Sequence, residues 1–440
     1  LSQDRLNMDL DRDCLELMLN LLESDTSHTS ALDDCGLSDS QLHKTKEKVR
    51  QLCEDIQSKG NARHLNLDNI TVGHLAMETL LSLTSRRAGE WFKEELRELG
   101  GLEHIARTVI ETSRVVKDSI YSWTPALLDK LRKVDRCLRV LENVTLENEE
   151  NSLYLLTYNS GEVIDTLIRL FSVCDAELYN YPVHSMTDRE STGVVIRECL
   201  IVSLKVLINL THDFHNKSFG SSILGSKPGL VESTLHVLLQ APDLVPEEQK
   251  FDLIVLALIL LINLVEHSQE NRGILINSKA PPDPDSIFDV ANSASAVSAL
   301  VSMFYQQEEL ARTEERKTDA ILDGEPKKDP NVAAKSQEEN LEETVSMLLQ
   351  KAGRNMEHTL VSAYIALLLG YLIIDNKENE NVVRQQLPEG NFGTMLTVLN
   401  KFFSFMTLTA GAGSGSSRGI KATEMVIKYL TNSDRLLKET

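Results

Sequence analysis

Residues 211–215 read THDFH. Two histidines three apart, His212 and His215 with Asp213 between them, share one helical turn and have the spacing of a two-histidine metal site. No third ligand lies nearby in sequence, and the stretch closes an apolar helix, so a polar turn explains it better than a metal. The chain has no GxGxxG, GxxxxGK[ST], HExxH or GxSxG segment. Carboxylate pairs such as Glu149–Glu150 fall in solvated polar turns. The reading is a non-enzymatic chain with no cofactor and no metal. One stretch could instead do binding chemistry: SRRAGEWFKEELRELGG at 85–101 sets Arg86, Arg87 and Lys93 beside Trp91 and Phe92. Basic and aromatic residues together form partner hot spots. The alternative is that Trp91, Phe92 and Leu96 pack inward under a solvated charged face.

The elements that position these residues read as helices. LDRDCLELMLNLLES (10–24) has helical spacing, with Leu10, Cys14, Leu17, Met18, Leu21 and Leu22 assigned to one face. No stretch alternates as a strand does, and the predicted class is all-α. The longest apolar run expected from sequence, LIVLALILLINLV at 253–265, has 13 residues between Asp252 and Glu266. That is too short to span a bilayer and suits a buried helix, so no membrane partner is expected.

A phrase recurs along these helices: LLSLTSRRAGEW (80–91), LRVLENVTLENEEN (138–151), LKVLINLTHDFHN (204–216), LLINLVEHSQENR (260–272) and LLLGYLIIDNKEN (368–379). The polar position after the leucines is Ser82, Asn143, Asn209, Asn263 and Tyr371, at spacings of 61, 66, 54 and 108 residues. The last spacing is twice 54, which points to a lost echo or an insertion. Seven or eight residues beyond each position the chain turns polar, at Glu90, Asn151, Asn216, Asn271 and Asn379. An amphipathic helix then follows, often behind a glycine. A buried helix, a polar turn and a second helix, repeated, make an elongated α-solenoid of HEAT/armadillo-like repeats. A buried amide needs its hydrogen bonds met, so Asn143, Asn209 and Asn263 are assigned the structural role of fixing the stacking register. The other assignment is a ladder of exposed asparagines gripping an extended peptide.

Composition limits the partners. The chain has 45 Lys+Arg against 66 Asp+Glu, a formal charge of −21. Such a surface repels phosphate backbones, and no direct nucleic-acid binding is expected. Six scattered cysteines without CxxC spacing suit reduced thiols of cytosol or nucleus. Polar segments fall at 175–193, 277–295 and 410–419, and a charge-dense one at 306–343 is expected to be partly helical and partly disordered. The layout is one helical-repeat domain over 1–440: a helical lead-in (1–68), repeats (69–276), a loop and charged insertion (277–343) and C-terminal repeats (344–440).

Several blocks in order resemble the wings apart-like (Wapl) family. They are NITVGHLAMETLLSLTSRRAGEWFKEELRELGGLEHI (69–105), RCLRVLENVT (136–145), FDLIVLALILLINLVEHSQENR (251–272), LVSAYIALLLGYL (360–372) and LPEG with Phe392 (387–392). The resemblance implies the family's C-terminal HEAT-repeat domain, from a chain that here opens at Leu1 without the N-terminal partner motifs. It also implies a release factor that detaches cohesin from chromatin by helping to open the ring's exit gate between an ATPase subunit and the kleisin. The implied partners are the kleisin, the stromal-antigen HEAT subunit, the ATPase heads and a cohesin-associated HEAT-repeat protein. The implied location is the nucleus, on chromatin, with part of the pool cytoplasmic after nuclear breakdown, in sister chromatid cohesion and mitosis. Carried over residue by residue, the cohesin contact falls on Met356 and Leu360, with Glu357 adjacent; Leu360 stands where other members have isoleucine. Read from spacing alone, Met356 and Leu360 share a helical face with Ala352 and Ala363, which a buried stripe explains equally well.

Overall fold

The computed structural model describes residues 12–24, 44, 47–48, 51, 72–84, 90–116, 122–188, 190–212, 219–282, 294–322, 337–410 and 417–439. The described residues are helical apart from turns, loops and one isolated antiparallel bridge, Lys279 to Ser295. Two compact units are present, one of Leu1–Val183 with Thr187–Phe214 and the other of His184–Met186 with His215–Thr440.

In the first unit α1 (Arg12–Ser24) packs on α2 (Val72–Thr84), followed by the short α3 (Glu90–Glu98) and α4 (Gly101–Ser113). The order repeats with α5 (Pro125–Thr145), the short α6 (Glu149–Thr157) and α7 (Glu162–Asn180), and the unit closes on α8 (Thr192–Leu210). The long helices lie side by side, α5 between α2 and α8, while α4 packs on α5 and α7. In the second unit α9 (Phe219–Gly225) and α10 (Leu230–Leu239) precede α11 (Glu247–Glu266), the short α12 (Gln269–Asn277) and α13 (Ala296–Leu322). Then come α14 (Gln337–Ile373), the short α15 (Lys377–Gln386), α16 (Gly393–Ala410) and α17 (Ser417–Glu439). Each echo of the recurring phrase therefore ends a long helix, and a short helix then hands the chain to a second helix. The doubled last spacing is an insertion and not a lost repeat, because α13 and α14 are lengthened to 27 and 37 residues.

The repeat forms for local reasons. Three of the short helices, α6, α12 and α15, start on a polar cap: the side chains of Asn148, Ser268 and Asn376 accept from the backbone N–H of Asn151, Asn271 and Asn379 at 2.8, 3.2 and 3.0 Å. Those second asparagines are buried, and each turns its amide back to the carbonyl seven residues earlier. Asn151 reaches Val144 at 3.0 Å, Asn271 reaches Leu264 at 2.8 Å and Asn379 reaches Leu372 at 2.9 Å. Each thus satisfies an orphan carbonyl at the end of the long helix and fixes the bend. A glycine before the second helices, at Gly100, Gly161, Gly229 and Gly390, takes a positive φ that an L side chain resists.

Neighbouring long helices are tied by the residue after the leucines. The Asn143 amide donates to Thr84 Oγ1 at 3.0 Å, and that of Asn209 to Glu142 O at 2.8 Å and Thr145 Oγ1 at 3.1 Å. Both asparagines are half-buried. Tyr371 keeps the arrangement with other chemistry: its hydroxyl donates to Glu266 at 2.9 Å, and Arg418 holds the other oxygen at 3.0 Å. Burial and the Glu266 carboxylate push the Tyr371 phenol well above its ordinary value, so it stays a donor.

α1 departs from the predicted face. Leu15, Leu19 and Leu22 are buried and Leu17 is exposed. With leucine or methionine at six of the eight positions 15–22, periodicity could not choose the stripe; packing against α2 does. Residues 306–322 of the charged segment continue α13, and 337–343 open α14; the rest of it lies outside the described residues.

Candidate interaction surface

Met356 and Leu360 sit midway along α14, one turn apart. Ala363, beyond them, is fully buried, whereas Met356 is 48% exposed and Leu360 is half-buried. A core stripe therefore does not account for Met356. Glu357, beside it, is exposed. With Asn355, Thr359 and, from α16, Lys401, Phe402 and Phe405, the pair lines an open cavity of about 240 Å³. Phe402 is buried at its floor, and its ring lies 5.8 Å from that of Tyr364, while Phe405 is 44% exposed at its edge. Polar lining is already engaged: Thr359 donates to the Asn355 backbone carbonyl at 2.8 Å. The cavity holds no catalytic constellation. Among the described residues no three histidine, cysteine or acidic side chains are grouped to hold a metal.

The other singled-out stretch divides. Arg86 and Arg87 lie outside the described residues, as does His215. Phe92 and Leu96 are buried, and Trp91 is 47% exposed. Lys93, placed among the surface charges by sequence, is buried and donates to Leu146 O at 2.7 Å, which caps α5. Arg97 reaches Asn151 at 2.7 Å and Glu150 at 2.5 Å.

For Asn143 and Asn209 the amide that would grip a peptide is bonded to the adjacent long helix. At Asn263 the backbone carbonyl accepts from Ser221 Oγ at 2.7 Å. The signal that could have located the first two bonds is a threonine two residues on, in SLT (82–84), NVT (143–145) and NLT (209–211). Thr84, Thr145 and Thr211 each donate to the carbonyl four residues back, and the first two also accept from the next long helix.

Among the described residues one helical segment, Gly353–Ile373, is long and apolar enough to cross a membrane, and it is mostly buried in the protein. It lies in α14, which packs against α11, α13 and α16.

The model of the family described as "Wings apart-like protein regulation of heterochromatin" matches residues 1–271. The chain belongs to the wings apart-like family. It is 44% identical over 450 residues to "Protein wings apart-like" of Drosophila melanogaster, a match covering all of this chain and 25% of that protein. It is 39% identical over 479 residues to the human "Wings apart-like protein homolog", covering 98% of this chain and 39% of the relative. A Caenorhabditis elegans homolog is 24% identical over 393 residues, 82% of this chain and half of its own length. The chain thus spans between a quarter and a half of the curated relatives it matches. As a member of a family described by regulation, the chain has a regulatory role.

Proposed function

We propose that this chain binds cohesin and promotes its release from chromatin, helping to open the ring's exit gate between ATPase subunit and kleisin. It acts by binding: an ATPase that opens its gate is biased toward the open state by a protein that prefers that state. The observation that carries this reading is the exposed Met356, over the half-buried Leu360, in a chain of the wings apart-like family. A methionine half open to water, one turn ahead of the buried stretch that begins at Val361, leaves apolar surface that a partner can bury. The partners in this reading are the kleisin, the stromal-antigen subunit and the ATPase heads, with a cohesin-associated HEAT-repeat protein, in the nucleus on chromatin.

The peptide-gripping adaptor is the second reading. It needs free amides on the long helices, and those of Asn143 and Asn209 are engaged within the protein.

The test is capture of purified cohesin core by this chain, with Met356→Glu and Arg87→Glu variants checked for unchanged helicity and melting. Loss of capture in a folded Met356→Glu protein supports the reading. Absence of capture by the unsubstituted chain at low salt overturns it.

A further inference from the structure

Of the seven residues that line the cavity, the sequence reading named two, Met356 and Leu360. The cavity's other wall is α16, where Phe402 forms the floor and Phe405 the edge. At about 240 Å³ it falls below the roughly 300–1,000 Å³ of small-molecule pockets. It is of a size to take one large side chain, as an anchor pocket at a protein interface does. Thr359 Oγ1 donates to the backbone and side-chain oxygens of Asn355, so the Thr359 hydroxyl is engaged within α14 and four of the seven lining residues are apolar. Met356, Leu360, Phe402 and Phe405 together present apolar surface that is adaptable at the thioether and rigid at the rings.

Charge narrows the occupant further. Among the described residues that line the cavity, the one charged side chain is Lys401. In a chain of net charge −21, a cation at the mouth of an apolar pocket is selective. Its contact to Glu315 is long, 3.5 Å, and both side chains are more than half exposed, at 60% and 51%. Such a pair contributes little and is readily exchanged for an incoming carboxylate.

We infer that the cavity between α14 and α16 receives a segment of cohesin with one bulky apolar side chain beside an acidic residue. Phe402 and Phe405 seat the apolar group, and Lys401 pairs with the acid. The inference rests on the proposed function and adds α16 to the contact.

The experiment is capture of purified cohesin core by the full chain across a salt series, comparing Met356→Glu, Phe405→Ala, Lys401→Ala and Lys401→Glu. Phe405 and Lys401 are exposed, so unchanged melting is expected of these variants. The expected result is at least about tenfold weaker capture for Phe405→Ala. Lys401→Glu is expected to lose capture at low salt, and Lys401→Ala to show a shallower salt dependence than the unsubstituted chain. If Met356→Glu loses capture while Phe405→Ala and both Lys401 variants retain it, the cavity assignment is overturned and the proposed function stands. If all four variants capture as the unsubstituted chain does, this face is not the contact. If the unsubstituted chain captures nothing, both readings fall.

Discussion

Asn151 shows how a repeat is held by one side chain. Its amide donates to Val144 O at 3.0 Å and Lys93 O at 3.3 Å, while its own N–H is capped by Asn148 at 2.8 Å. The residue is fully buried. Asn151→Ala leaves two buried carbonyls without this donor, and orphaned buried acceptors cost about 1–3 kcal/mol. The expected loss of that size in unfolding free energy is read by urea denaturation. Asn143→Ala is expected to cost less, because Asn143 is only half-buried and its partner, Thr84 Oγ1, keeps its own bond to Leu80 O. At Glu147 the direction reverses. This residue precedes the cap of α6 with φ of 54°, a conformation that strains any residue with a Cβ. Glu147→Gly is expected to raise the melting temperature, by a gain of up to about 1 kcal/mol.

Contacts between helices are decided by fit and by charge. Gly370 of α14 lies so close to Val426 of α17 that an added Cβ would come within 2.3 Å of its Cγ1. Gly370→Ala therefore overpacks this crossing and is expected to cost about 1–3 kcal/mol. Val426→Ala in the same protein should recover part of that loss, and a double-mutant cycle measures the coupling. Between α5 and α8 the tie is ionic. Arg139 holds Asp135 at 2.9 Å and Glu198 at 2.6 Å, and Arg197 adds 3.1 Å to Glu198. Burial alone would raise the Glu198 carboxyl, but the charge and hydrogen bond of Arg139, with help from Arg197, hold it below its ordinary 4.5. The unfolded chain then takes the proton more readily than the folded one. The stabilisation is complete above pH 4.5 and is lost as pH falls through the lower folded value. Glu198→Gln is expected to flatten that part of the acid-unfolding curve, as followed by circular dichroism against pH.

The net charge of −21 belongs to the molecule as a whole. Charge of this sign keeps a chain soluble and repels phosphate backbones. At physiological ionic strength the screening length is only about 8 Å, so any attraction to DNA would have to come from a local basic patch. The expected outcome is no retardation of duplex DNA in a gel-shift assay at physiological salt. Retardation that falls steeply with added salt would reveal a local basic surface that outweighs the average.

Helical class, repeat order and the places where each long helix ends were legible in the sequence, because a 3.6-residue apolar period and polar breaks are local properties. The five echoes mark the ends of five helices, and the leucine-flanked Asn143 and Asn209 donate to the neighbouring helix. Tertiary structure alone decided which residue carried which duty. Nothing local marks Asn151, Asn271 and Asn379 as buried, since each lies in a stretch as polar as any exposed turn; only the fold brings a carbonyl seven residues back into reach. Lys93 reads as a surface charge until α5 ends against it. The leucine-rich α1 had no unique stripe until α2 supplied a wall. Met356 could equally have been core, because its spacing to Leu360 and Ala363 is that of a buried face. Its exposure, and the pairing with Phe402 and Phe405, depend on how α16 crosses α14 some 45 residues later in the chain, a distance over which periodicity carries no information.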